Sequence, residues 1–165
     1  MSSKLQARVP YLFLVFGILV LDRWSKATIQ NRFDLNESAT VIDGLFNITY
    51  VQNTGVAFGI FSSISSPVKS LLLSVFTGVA AIIVIVYSIR SPVENRLLQI
   101  ALALILGGAI GNLYDRLAYG FVVDFLEVYF RSYHWPSFNI ADSAITVGVL
   151  LLALEIVRHE TPSRT

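Results

Sequence analysis

Cysteine is absent from this 165-residue chain, which rules out disulfides, thiolate zinc sites and a cysteine nucleophile. Charge is scarce too: 14% of residues are Asp, Glu, Lys or Arg and the net charge is +1, against about 25% charged residues in soluble domains. The basic residues are scattered, so the electrostatic footprint that nucleic acid requires is missing. There is no internal repeat, no low-complexity tract, no Gly-rich phosphate loop and no matched pair of broken helices of the kind an inverted-repeat transporter carries. What remains is apolar. With 55% hydrophobic residues and a mean hydropathy of +0.67, the chain reads as a membrane protein of one domain.

The first apolar run follows Lys4 and Arg8 like a secretory signal, but it meets Asp22, Arg23, Trp24, Ser25 and Lys26 where a small-residue cleavage site would stand. It is read as a retained transmembrane helix, about 9–29, with further spans at about 67–89, 97–113 and 140–157. Asp22 and Lys26 are four residues apart and share a helix face, where they can pair; snorkelling is the alternative for Lys26. Ala103, Gly107 and Gly111 repeat at the same spacing and form a small-residue stripe that admits a neighbouring helix.

Two segments break the apolar pattern. Residues of about 33–63 alternate β-branched and aromatic residues with polar ones around an Asp43-Gly44 turn signal, which predicts a small extramembrane β element. Asn53 and Gly55 are ordinary turn residues there, and Phe58 and Phe61 fit lipid-facing aromatics. The second segment, about 117–139, includes the aromatic-rich stretch from Phe121 to Tyr133, expected to lie amphipathically in the membrane interface. The fold class is thus mainly α: four transmembrane helices, a small extramembrane β element and an interfacial amphipathic segment.

The twelve Lys and Arg residues divide evenly between the two sides, but most on the side away from the termini lie in or beside spans, leaving Arg32 and Arg131 as its loop charges. Positive-inside then places both termini in the cytoplasm, and in a bacterium the opposite face is periplasmic.

The chemistry concentrates between Gly107 and Asp142. Asp142 opens the fourth span and could be a simple helix-start acid. Its company argues for more: Asn112 and Arg116 share a helix face, Asp115 lies beside them, and Asn139 stands three residues before Asp142. Arg116 could neutralise Asp115 or Asp124. Asp124 sits in the apolar run GFVVDFLEVYF, where desolvation raises a carboxyl pKa. Two carboxyls brought together share one proton, which is the condition for activating water while protonating a departing amine. His134 and His159 have no metal-binding spacing with the acids, and no serine has a histidine partner. His134, beside Trp135 and Pro136, reads as an interface residue.

Four boxes in order, LDRWSK, VQNTGVAFGIF, GGAIGNLYDRLAYGFVVDF and FNIADSAITVG, closely resemble those of the lipoprotein signal peptidases (signal peptidase II), bacterial membrane aspartyl peptidases. The resemblance covers nearly the whole chain, with Val56 a departure where the family usually has a small residue. It implies four helices with a periplasmic β-cradle. It also implies hydrolysis of signal peptides from diacylglyceryl-modified prolipoproteins just before the lipidated cysteine. Asp124 and Asp142 match the catalytic pair, Asn112 and Arg116 the polar positions beside it, Asn139 the asparagine before the second aspartate, and Asn53 and Gly55 a substrate-contacting bend. Asp22 and Lys26 match a supporting box, and Asp115 is expected to be secondary. No cofactor or metal is expected. The expected partners are lipidated prolipoproteins and membrane lipid, for a monomer in the bacterial inner membrane with its active site near the periplasmic face. A proton-coupled transporter, in which the same acids relay protons, and a non-catalytic assembly protein are the rival readings.

Overall fold

The computed structural model describes residues 6–55 and 67–160. Val56, Phe58 and Phe61 lie outside the described residues. Four long helices and a four-stranded antiparallel sheet follow in chain order: α1 (Val9–Arg32), β1 (Ser38–Ile42), β2 (Phe46–Asn53), α2 (Pro67–Arg90), α3 (Arg96–Tyr119), β3 (Val122–Phe130), β4 (Tyr133–His134) and α4 (Ile140–Glu160). The strands lie in the order β1-β2-β3-β4.

Of these helices α2, α3 and α4 contain stretches long and apolar enough to cross a membrane, at Lys69–Arg90, Arg96–Tyr119 and Ile140–Arg158. The expectation of four such helices is met for three. α1 is as long as its neighbours, but Asp22, Arg23 and Lys26 interrupt its apolar run. The outer faces carry large bare side chains, among them Phe13 at 71% and Phe76 at 75% exposure, as expected of surfaces that hydrocarbon covers.

α3 is the central strut, packed on α1, α2 and α4. Its small residues explain the close approaches. A Cβ on Gly107 would meet the Ile18 side chain at 3.0 Å, one on Gly111 would meet Asp22 Oδ2 at 2.8 Å, and one on Gly108 would meet the Ala141 carbonyl oxygen at 2.3 Å. The stripe predicted from Gly107 and Gly111 therefore faces α1, and Gly108 on the adjacent face admits α4. α3 begins at Asn95, whose side chain accepts from Leu98 N–H at 3.2 Å. It runs past the expected end at Leu113 to Tyr119, and stops at Gly120, whose φ of +80° is left-handed.

The hairpin of β1 and β2 turns at Asp43-Gly44, as its sequence predicts, with Gly44 at φ +74°. Beyond Arg116 the structure departs from expectation. The stretch expected to lie as an amphipathic segment in the interface is a strand, β3, paired antiparallel with β2. Its valines and aromatics suit a pleated surface. Val122, Val123, Asp124 and Phe125 are all buried because both faces are covered there. Val123 and Phe125 join Ile29 and Tyr50 in an apolar cluster, and the alternation of a strand turns Asp124 to the other face.

Candidate functional site

Local rules place each polar group before packing brings them together. Asn139 is the residue before α4 and Asp142 the third within it. The Asn139 side-chain oxygen accepts the Asp142 N–H at 2.9 Å, and the Asp142 carboxylate accepts the Asn139 N–H at 3.2 Å. This is a reciprocal capping box, so the helix-start role that Asp142 could have had alone is present, and it fixes the rotamer of a carboxyl that has other partners. On β3, Asp124 is opposite Val51 of β2 and diagonal to Asn53, which pairs with Val122. The Asn53 amide reaches Asp124 Oδ2 at 2.9 Å, a cross-strand contact between near neighbours.

The two carboxyls are held by shared amides. Asn139 Nδ2 donates to Asp124 Oδ1 at 2.7 Å, while its backbone holds Asp142. Asn112 Nδ2 donates to Asp142 Oδ1 at 2.7 Å, and its own oxygen accepts from Lys26 Nζ at 3.1 Å and from Asn139 at 3.3 Å. Asp124 is 2% exposed and Asn139 fully buried. Burial pushes the Asp124 carboxyl from 3.8 up to about 7; the charge of Asp142 pushes the same way, and the amides of Asn53 and Asn139 with the charge of Lys26 only partly oppose it.

Below the pair lies an ionic cluster on α1 and α3. Lys26, fully buried, forms ion pairs with Asp22 Oδ2 at 2.7 Å and Asp115 Oδ2 at 2.8 Å and donates to Asn112 Oδ1. Asp22 Oδ1 accepts the Ala141 N–H at 3.0 Å, so α1 caps the first turn of α4. Asp115 also accepts the Val123 N–H at 3.3 Å and pairs with Arg23. Arg116 donates to the carbonyls of Asn112 and Gly55, both at 3.5 Å, within electrostatic reach of Asp142 and Asp124. The Gly55 N–H in turn donates to Asn53 Oδ1 at 2.8 Å, an Asx turn that aims the Asn53 amide at Asp124.

All the residues singled out by sequence therefore meet: Asp124 and Asp142 with Asn53, Asn112 and Asn139 directly around them, Gly55 and Arg116 at the rim, and Asp22, Lys26 and Asp115 beneath. Four carboxyls stand against the three cations Lys26, Arg23 and Arg116, so one retained proton neutralises the assembly. His134 lies apart on β4, with Nδ1 3.0 Å from Glu127 Oε1 and its ring stacked on Tyr129. Sequence reasoning gave Arg23 no role. Its contact with Asp115 spans 92 residues, and no local spacing announces it.

Comparisons with known proteins find similar sequences and a similar fold. Residues 14–158 match the family described as signal peptidase (SPase) II. The chain is 44% identical over 151 residues to a lipoprotein signal peptidase of Syntrophus aciditrophicus, covering 90% of this chain and 94% of that one. It is 46% identical over 147 residues to a lipoprotein signal peptidase of Geobacter sulfurreducens, covering 89% and 91%. A bacterial membrane enzyme solved by the in meso method at 2.3 Å resolution has a similar fold, with a TM-score of 0.83 and 29% identity over 94% of each chain.

Proposed function

The chain belongs to the signal peptidase II family, membrane hydrolases that cleave signal peptides from lipoprotein precursors, and from that premise we propose that Asp124 and Asp142 hydrolyse the scissile peptide bond between them. The observation that carries the proposal is the bridging of the buried Asp124 and the part-buried Asp142 by Asn139, which donates to both carboxyls.

In this reading Asp124 holds the shared proton at neutral pH and Asp142 is the base. Asp142 takes a proton from a water molecule as its oxygen bonds to the scissile carbonyl carbon. Asp124 gives its proton to the carbonyl oxygen, leaving a neutral tetrahedral diol. Collapse breaks the C–N bond, the amine leaves with a proton from Asp142, and a hydroxyl proton returns to Asp124. No covalent enzyme intermediate forms. Arg116 and Asn53 stand where they can hold the substrate backbone or the developing oxyanion.

The substrate in this reading is a diacylglyceryl-modified prolipoprotein cut just before its lipidated cysteine. It enters sideways from the bilayer. In support, α2 makes its substantial contacts with α3 alone among the described elements, which leaves the α2 flank of α4 open to lipid. We further propose that α1 is the fourth spanning helix, its charges neutralised inside the bundle. The chain is then a single integral domain in the bacterial inner membrane, a monomer with cytoplasmic termini and the sheet on the periplasmic side.

The test is purified enzyme in lipid nanodiscs with a lipidated precursor. Asp142→Asn should fold, insert and lose at least about 10³-fold in kcat, the scale expected when an acid–base pair is broken. Normal processing by that variant would end the proposal. Proton flux without cleavage would favour a transporter instead.

A further inference from the structure

We infer that Arg23 is a positioning residue for this hydrolysis: by clamping Asp115 it fixes the start of β3, and with it the place of Asp124. The inference rests on the catalytic assignment of Asp124 made above.

Arg23 projects from α1 across to the end of α3. One guanidinium nitrogen donates to Asp115 Oδ1 and the other to the Tyr119 hydroxyl at 3.2 Å. The guanidinium lies over the Tyr114 ring at 4.5 Å and near the Tyr119 ring at 5.6 Å. Two rings and two acceptors hold a planar fork in one orientation, which an ammonium could not match. The Arg23 side chain is 26% exposed and that of Asp115 fully buried, so the pair joins the rim of the protein to its interior.

Asp115 passes this constraint on. Its second oxygen accepts the Val123 N–H at 3.3 Å, beside Lys26 Nζ at 2.8 Å. The Val123 carbonyl accepts from Asn139 at 3.2 Å. The residue immediately before Asp124 is thus held from both sides, by Asp115 through its N–H and by Asn139 through its C=O. Without Arg23, the Asp115 carboxylate loses the donor on Oδ1. Its broad terminal torsion then lets both oxygens turn to Lys26 and release the Val123 N–H. β3 would start loosely, and a misplacement of about 1 Å at a reacting group can cost about 10²-fold.

The test is a double-mutant cycle on the purified enzyme with a lipidated precursor, Arg23→Gln against Asp115→Asn, reading kcat and KM separately. Arg23→Gln is expected to lower kcat about tenfold with KM changed less than about twofold, and to add little on top of Asp115→Asn, because both act through one route. Arg23→Lys should recover part of the loss. Unchanged kcat, a loss confined to KM, or losses that multiply in the double variant would each overturn the inference. Should Arg23→Gln not fold, the cycle is run with Arg23→Lys: a severalfold loss that vanishes on top of Asp115→Asn supports the inference, and a multiplying loss refutes it. Asp124→Asn in the same assay separates the two claims, since activity there would sink the catalytic assignment, whereas multiplying losses sink the role of Arg23 alone.

Discussion

Asp124→Asn should inactivate the enzyme and, above neutral pH, stabilise it. In the folded protein the Asp124 carboxyl titrates near 7, against 3.8 when unperturbed. Between those values the folded chain keeps a proton that the unfolded chain has lost, so stability falls as pH rises and the full penalty is reached above pH 7. A shift of this size corresponds to about 4 kcal/mol, more than half of which develops between pH 5 and pH 8. Asparagine does not titrate and escapes that slope. It has a cost of its own, since its amide must face one of the donors now serving the carboxyl, Asn53 at 2.9 Å or Asn139 at 2.7 Å. That mismatch costs about 1–3 kcal/mol at every pH. The variant should thus lie within about 1–2 kcal/mol of the parent at pH 5 and be the more stable of the two by pH 8. Thermal unfolding in detergent at unit pH steps measures the difference, with precursor cleavage run in parallel. A stability of the variant relative to the parent that stays level across this range, or falls as pH rises, would refute the placement of the proton on Asp124.

The other outcomes rest on single contacts. Asn139→Ala removes the cap of α4 and one donor to Asp124, and should cost about 1–3 kcal/mol in denaturant melts. It should also move the basic limb of the kcat/KM profile to higher pH, because the lost donor had favoured the ionised form. Lys26→Met leaves Asp22 and Asp115 buried without their shared cation and should destabilise by about 3–5 kcal/mol, seen as a lower melting temperature and poor accumulation in membranes. Gly108→Ala places a Cβ 2.3 Å from the Ala141 carbonyl, and the forced separation of α3 from α4 should cost about 1–3 kcal/mol and reduce cleavage, measured on the same preparations.

The parts of the fold that follow local periodicity are legible in the sequence. Apolar runs mark the helices, Asp43-Gly44 marks the hairpin turn, and the spacing of Asp22 and Lys26 marks their pairing. The two carboxyls proposed as the catalytic pair stand out in the sequence by elimination, since it offers no rival nucleophile or metal-binding spacing. β3 is not legible in the same way. A strand buried on both faces over Val122–Phe125 loses the in-out alternation that identifies a strand and reads as one more apolar stretch bearing a charge. The double service of Asn139 is half legible: its spacing to Asp142 signals a helix cap, but its bond to Asp124 depends on how β3 runs. Arg23 is invisible, because its partners lie on a distant helix and only packing through Gly107 and Gly111 brings them near.

The pairing of Asp22 with Lys26 inside one helix bears on how the chain is made. α1 leaves the ribosome long before Asp115 is synthesised, and neither charge could wait alone in hydrocarbon. If α1 spans the bilayer as proposed, these two cancel each other's charge within a single turn until α3 arrives with Asp115 and Asn112. The pair is then the escort for a charge whose permanent partners are still being translated. A chain that separated its two members would face the translocon with the same residues and no means of delivering them.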